Sequence, residues 1–114
     1  MTQHKTSELL PKRGEHYRHQ DGGLYRVEGL AKSSVDLSDQ VVYRHLWPFE
    51  QALWTRPVLE WTAPRFLRVS AHDVRAALKG DRAAAREAVE DAKRRRRAMS
   101  SQAPAATDEA AHEG

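Results

Sequence analysis

The chain of 114 residues contains no cysteine, which excludes a disulfide framework and thiolate metal sites. It also has no apolar run near the roughly 18 residues that a membrane-spanning helix needs. Residues 1–6 lack the hydrophobic segment of a signal peptide. Because a chain without cysteine suits a reducing compartment, these absences predict a cytoplasmic protein without a membrane partner.

Motifs that specify a reaction are absent as well. Ser33, Ser34 and Ser38 lie in a polar connection, without the Gly-x-Ser-x-Gly turn that presents a nucleophile. The carboxylates are scattered and show no helical spacing suited to acid–base catalysis. We therefore predict no catalytic residues, no cofactor and no enzyme activity, and an unrecognised enzyme ranks behind any binding function.

Three histidines, His16, His19 and His45, form a candidate zinc site, since neutral imidazole is the usual nitrogen ligand of this ion. However, residues three apart on a strand point to opposite faces, which separates His16 from His19. We therefore predict no metal site and interpret the histidines as hydrogen-bonded or surface residues.

Aromatic residues make up only 7% of the chain, and nearly all of them lie between Gly14 and Trp61. Short β-branched and aromatic runs alternate there with turn residues, which is typical of strands. The predicted strands are Tyr17–His19, Leu24–Ala31, Gln40–Trp47, Leu53–Thr55 and Arg65–Val69. Five short strands without an intervening helix predict a small antiparallel barrel or rolled sheet.

Two local features refine this sheet. The pair Asp21-Gly22 predicts a type I′ hairpin turn, because glycine adopts the positive φ that such a turn requires. Gly29 predicts a β-bulge, since Leu30 breaks the alternation of the strand.

The hydrophobic period changes at Ser70, where Ser70 and Asp73 have the spacing of a capping box. We predict a first helix there, followed by a second helix from Arg82 to about Ala98. The apolar seam of the second helix is thin, so we expect it to be exposed to solvent and to fray.

The chain thus divides into four segments: a flexible lead (1–13), the barrel domain (14–69), a helical extension with a basic run (70–99) and a disordered acidic tail (100–114). Since the strand-forming residues precede Ser70, we expect the barrel to fold without the helices at little cost in stability.

The stretch from Gly14 to Phe66 resembles the domain of unknown function 1653 family, a group of small bacterial domains. The matching residues are Gly14, Tyr17-Arg18-His19, Tyr25, Val27, Leu30-Ala31-Lys32-Ser33, Val41-Val42-Tyr43-Arg44 and Leu53-Trp54-Thr55-Arg56-Pro57. The resemblance implies an SH3-like antiparallel β-barrel and no known activity.

Cationic and aromatic side chains form the candidate ligand-binding surface: Arg18, His19, Tyr43, Arg44, Trp54 and Arg56. Guanidinium groups stack on rings and bind anions in a bidentate manner, so the leading hypothesis is a non-catalytic module for a peptide or small anionic ligand. Arg56 shares a face with Trp54, and it therefore needs a carboxylate, a ring face or a ligand as partner.

The aromatic and cationic residues of this region also have a purely structural interpretation. In a domain this small, Tyr25, Tyr43, Trp54 and Trp61 can fill the core while the arginines form salt bridges at its rim.

A basic run supports an alternative function, weak nucleic-acid binding through the barrel and the second helix. Its members are Lys93, Arg94, Arg95, Arg96 and Arg97. Such side chains contact phosphates, and the affinity then falls with salt. Two structural explanations compete with this one: cations favour a helix C-terminus, and the acidic tail that follows can neutralise the run.

Overall fold

A computed structural model of the protein describes residues 10–101. In chain order its elements are β1 His16–His19, β2 Leu24–Lys32, β3 Asp39–Trp47, β4 Leu53–Pro57, a 3₁₀ helix Val58–Glu60, β5 Phe66–Val69, α1 Ala71–Leu78 and α2 Arg82–Ser101. The predicted mainly-β fold with a C-terminal helical extension is confirmed.

All five strands form one antiparallel sheet in the order β4-β3-β2-β1-β5. β1, β2 and β3 each pair with the strand that follows, and β5 returns to pair with the free side of β1. Within residues 10–101 no ladder joins β4 to β5, so the closure of this sheet into an SH3-like barrel stays a prediction.

The hairpin between β1 and β2 is present, but its turn differs from the prediction. Gly22 has a φ of +111°, whereas Asp21 keeps a negative φ, so the turn is not of type I′. Gly22 N donates to His19 O at 2.7 Å, and His19 N donates to Gly23 O at 2.8 Å. This pattern is typical of a three-residue loop in which a glycine completes a bulge.

The predicted bulge at Gly29 is confirmed. Val27 pairs with Tyr43 and Gly29 pairs with Val42, which leaves Glu28 without an opposite residue. A bulge shifts the alternation of a strand and re-aims the side chain that it displaces.

One face of the sheet, which we call the inner face, carries the main core. Its buried members are Val27, Val41, Tyr43, Val58, Trp61 and Phe66. Trp61 stacks on Phe66 with ring centroids 3.9 Å apart, and Tyr43 packs on Trp61 at 4.8 Å. The expectation that Trp54 also fills this core is wrong, because its strand β4 is an edge and the side chain remains 57% exposed.

The two helices cover a second core cluster. Ser70 Oγ accepts a hydrogen bond from Asp73 N at 3.0 Å, so the serine caps α1 as predicted. Val74 of α1 is buried against Leu24 and Trp47 of the sheet. The helical extension is therefore part of the packing of the sheet.

The two ends of the described chain can be compared with the predicted lead and the predicted acidic tail. Leu10 packs on the main core and Gly14 N donates to Val27 O at 2.8 Å, so packing begins within the predicted flexible lead. Ser100 and Ser101 belong to α2, and the rest of the predicted lead (1–9) and acidic tail (102–114) lies outside the described residues. Neither described α-helix combines the length and hydropathy of a transmembrane span.

Candidate functional site

A groove lies between inner-face residues of the sheet and α2, and we call it the sheet–helix groove. It consists of two adjoining cavities of about 480 Å³ and about 410 Å³. The residues that line both cavities are Tyr25, Tyr43, Val89, Lys93 and Arg97. Each volume falls in the range of small-molecule sites.

Contacts at three points hold α2 beside the sheet. Arg86 Nε donates to Pro48 O at 2.9 Å, and Arg96 Nη2 donates to Asp21 Oδ2 at 2.6 Å. Between them Val89 is buried against Gly22, where a β-carbon would lie 3.3 Å from Val89 Cγ2. Most residues of α2 are exposed, as expected, but Val89 packs on the sheet, because the glycine turn leaves room for a valine.

The predicted basic run divides between two faces of α2. Lys93 and Arg97, four residues apart, both line the groove. Arg94 and Arg95 are exposed, and both pair with Asp91. The contacts with these two guanidinium groups lower the pKa of Asp91. The helical period thus presents only part of the run to the groove.

The cavity of about 410 Å³ forms the cationic end of the groove. Its charged lining residues are Asp21, Arg56, Arg65, Lys93, Arg96 and Arg97. Arg56 Nη1 donates to Glu60 Oε1 at 2.9 Å, and its guanidinium lies 5.4 Å from the centroid of Phe66. Both kinds of protein partner that we predicted for this cation are therefore present.

Arg56 retains unused hydrogen-bonding capacity despite these contacts. Its Nε is buried, and no hydrogen-bond partner for it lies among residues 10–101. Arg65 Nη1 lies 3.5 Å from the same Glu60 oxygen, so one carboxylate serves two guanidinium groups. Two guanidinium groups against one carboxylate leave an excess of positive charge at this end.

The cavity of about 480 Å³ forms the aromatic end of the groove. Its aromatic lining residues are Tyr25, Tyr43, His45, Phe49 and Trp54. Tyr25 meets Tyr43 and His45 edge to face, with centroids 5.2 Å and 4.9 Å apart. Lys93 Nζ lies 6.0 Å from the centroid of Phe49, a cation–π distance. Rings and cations therefore share this end too.

His45 is held neutral at the aromatic end. Phe49 N donates to His45 Nε2 at 3.0 Å, which identifies Nε2 as the acceptor and Nδ1 as the protonated nitrogen. Burial, with a smaller contribution from the charge of Lys93, lowers the pKa of His45 to about 4. The imidazole therefore presents a neutral N–H donor at neutral pH.

His19 is held in the same way at the cationic end. Asp21 N donates to His19 Nδ1 at 3.0 Å, so the neutral ring carries its proton on Nε2. Burial lowers the pKa of His19, and the charges of Arg56 and Arg96 act in the same direction against the opposing Asp21 carboxylate. The carboxylate lies 3.6 Å from Nδ1, but a neutral ring forms no ion pair with it.

Acid should destabilise the protein between about pH 6.5 and about pH 4. His45 titrates near 6.5 in the unfolded chain and at about 4 in the folded one. In that window only the unfolded chain takes up this proton, so the free energy of unfolding falls as the pH falls. In urea titrations at several pH values, His45→Gln, which can still accept from Phe49 N, should show a shallower decline. An identical decline in both proteins would contradict this role of His45.

The structure brings four of the six predicted ligand-binding residues to the groove. They are His19, Tyr43, Trp54 and Arg56. Arg44 lies on the opposite face, where its Nε donates to Glu28 Oε2 at 3.2 Å. Arg18 is exposed on that face as well, because it alternates with His19 along β1. The predicted salt bridges are thus present at both Arg44 and Arg56, and Arg56 also lines the groove.

Sequence reasoning did not assign Tyr25, Phe49 or Arg65 to the site, and it did not place the basic run of α2 beside the sheet. Phe49 and Arg65 lie in or beside loops, where no periodicity indicates a direction, and Tyr25 was predicted to fill the core. A signal for the helix face existed, because Val89, Lys93 and Arg96 recur at spacings of four and three residues.

Other predicted polar groups have structural partners. Ser33 Oγ accepts from Val35 N at 3.1 Å, and Ser38 Oγ donates to Asp36 Oδ1 at 2.7 Å, as expected of turn residues. Among residues 10–101, no three His, Cys, Asp or Glu side chains converge as a metal site would require.

In the comparison with known proteins, the family match covers the sheet and does not include the helices. Residues 15–69 match the family described as Protein of unknown function (DUF1653). This span contains all five strands and ends at the last residue of β5, so the α2 wall of the groove lies outside it. Neither a curated protein nor a solved structure matches the chain. The sheet domain, residues 15–69, is therefore a member of the DUF1653 family, as the sequence resemblance predicted.

Proposed function

We propose that the protein is a non-catalytic binding module that holds an anionic ligand in the sheet–helix groove. A single observation carries this proposal: the aromatic residues of the sheet and the basic residues of α2, far apart in sequence, line the same two cavities. The peptide or small-anion hypothesis and the nucleic-acid alternative therefore converge on one site.

The charge of the groove favours an anion. Five cationic residues line it, against three acidic ones: Arg56, Arg65, Lys93, Arg96 and Arg97, and Asp21, Glu50 and Glu90. A cleft lined mainly by one sign of charge, with low-dielectric walls, raises the local concentration of the opposite charge.

Two double variants with the same change in charge test the site. Lys93→Gln/Arg97→Gln alters the groove, whereas Arg94→Gln/Arg95→Gln alters the exposed face of α2. Pyrophosphate, hexaglutamate and oligothymidylate serve as separate probes, followed by the Trp54 indole resonance in NMR titrations. For each probe that binds, we expect the groove variant to lose about tenfold or more in affinity and the matched control to lose little.

The comparison separates a site from general attraction. Equal losses in the two variants would show that overall charge, and not the groove, attracts the probe. If no probe perturbs groove resonances of the full-length protein at low salt, the proposed function is overturned.

A further inference from the structure

We infer that the anionic ligand is a single-stranded nucleic acid, with phosphates at the cationic end of the groove and bases stacked at its aromatic end. The inference rests on the proposed function, because it assigns a ligand class to the same groove.

The first argument is the continuity of the two ends. Tyr25 and Tyr43 line both cavities from the sheet side, and Lys93 and Arg97 line both from the helix side. One ligand can therefore occupy both ends if it carries an anion and a planar group in close succession. A nucleotide unit has this arrangement, and a single strand repeats it along the groove.

The second argument is the exposure of the rings. Trp54 is 57% exposed in the lining of the cavity, whereas Phe49 is half-buried and has Arg86 and Lys93 over its ring. Bases stack on an exposed ring such as that of Trp54 regardless of their identity, because every base has a π face. An acidic peptide would satisfy the cationic end but would leave the aromatic end without a comparable partner.

The third argument concerns the neutral donors. His19 Nε2 and His45 Nδ1 each carry a proton that the backbone contacts of these rings leave unused. Tyr25, a further neutral donor, lines both cavities. These groups can donate to phosphate oxygens and also to the Watson–Crick edges of bases, which are free in a single strand and paired in a duplex.

The test compares a thymidine oligomer of about ten nucleotides with an abasic oligomer of the same length, using the full-length protein at low salt. We expect the thymidine oligomer to bind at least tenfold more tightly. Trp54→Ala should weaken that binding about five- to 150-fold and leave the affinity for the abasic oligomer unchanged. Leu67→Ala, which removes an exposed apolar side chain from the opposite face, is the control.

The salt dependence gives a second readout. Each lost phosphate contact should reduce the slope of log K against log salt concentration by about 0.7 for a single strand. We expect Lys93→Gln/Arg97→Gln to lower this slope, and Trp54→Ala to leave it unchanged.

The outcomes distinguish the inference from the function on which it rests. Equal affinity for the two oligomers would overturn base stacking while leaving an anion-binding groove. Binding of hexaglutamate without either oligomer would overturn the nucleic-acid assignment and leave the binding module. Failure of every anionic probe would overturn both.

Discussion

Trp61→Ala should lower the free energy of unfolding by about 3 to 5 kcal/mol, the usual cost of truncating a core aromatic residue. Trp61 is only 3% exposed, stacks on Phe66 and meets the edge of Tyr17 at 5.2 Å. Its loss would leave a cavity beneath the sheet that rigid neighbouring rings fill poorly. A small domain has roughly 5 to 15 kcal/mol of stability in total, so the variant should be close to unfolding.

The matched substitution Trp54→Ala should change the stability by less than about 1 kcal/mol, because that ring is mostly exposed on an edge strand. Chemical denaturation monitored by circular dichroism, which does not depend on the removed tryptophan, measures both variants. Equal losses in the two proteins would place Trp54 in the core and remove the aromatic end from the groove.

A chain that ends at Ser70 should be less stable by roughly 3 to 6 kcal/mol, which reverses the expectation from sequence. Removal of α1 and α2 would expose Leu24 and Trp47, each of which gains about 1.5 to 3 kcal/mol from burial. It would also remove the ion pair between Arg96 and Asp21 and the packing of Val89 on the neighbouring Gly22.

A chain that ends at Ser101 is the control, because it keeps both helices and removes only the segment predicted to be disordered. Thermal unfolding and amide dispersion in NMR spectra would compare both truncated chains with the full chain. If the chain ending at Ser70 melts like the full chain, the helices do not contribute to the core, and the α2 wall of the groove loses its structural basis.

The local features of this protein could be predicted from the sequence, whereas the order of its strands could not. The bulge at Gly29 and the cap at Ser70 depend on neighbours within a few residues, so a pattern indicated both. The turn at Gly22 was located correctly but assigned the wrong type, because a dipeptide does not specify the φ of both its residues.

Alternation, turn residues and caps act over short distances, so the five-stranded sheet, its family and the helical extension could be predicted from the sequence. The exposed edge position of Trp54 and the division of the basic run between two faces of α2 became apparent only in the folded chain. Folding also brings Arg96 to Asp21, 75 residues away in the chain. Such contacts depend on how separate elements dock, and that docking is set by packing between distant residues, which no local pattern contains.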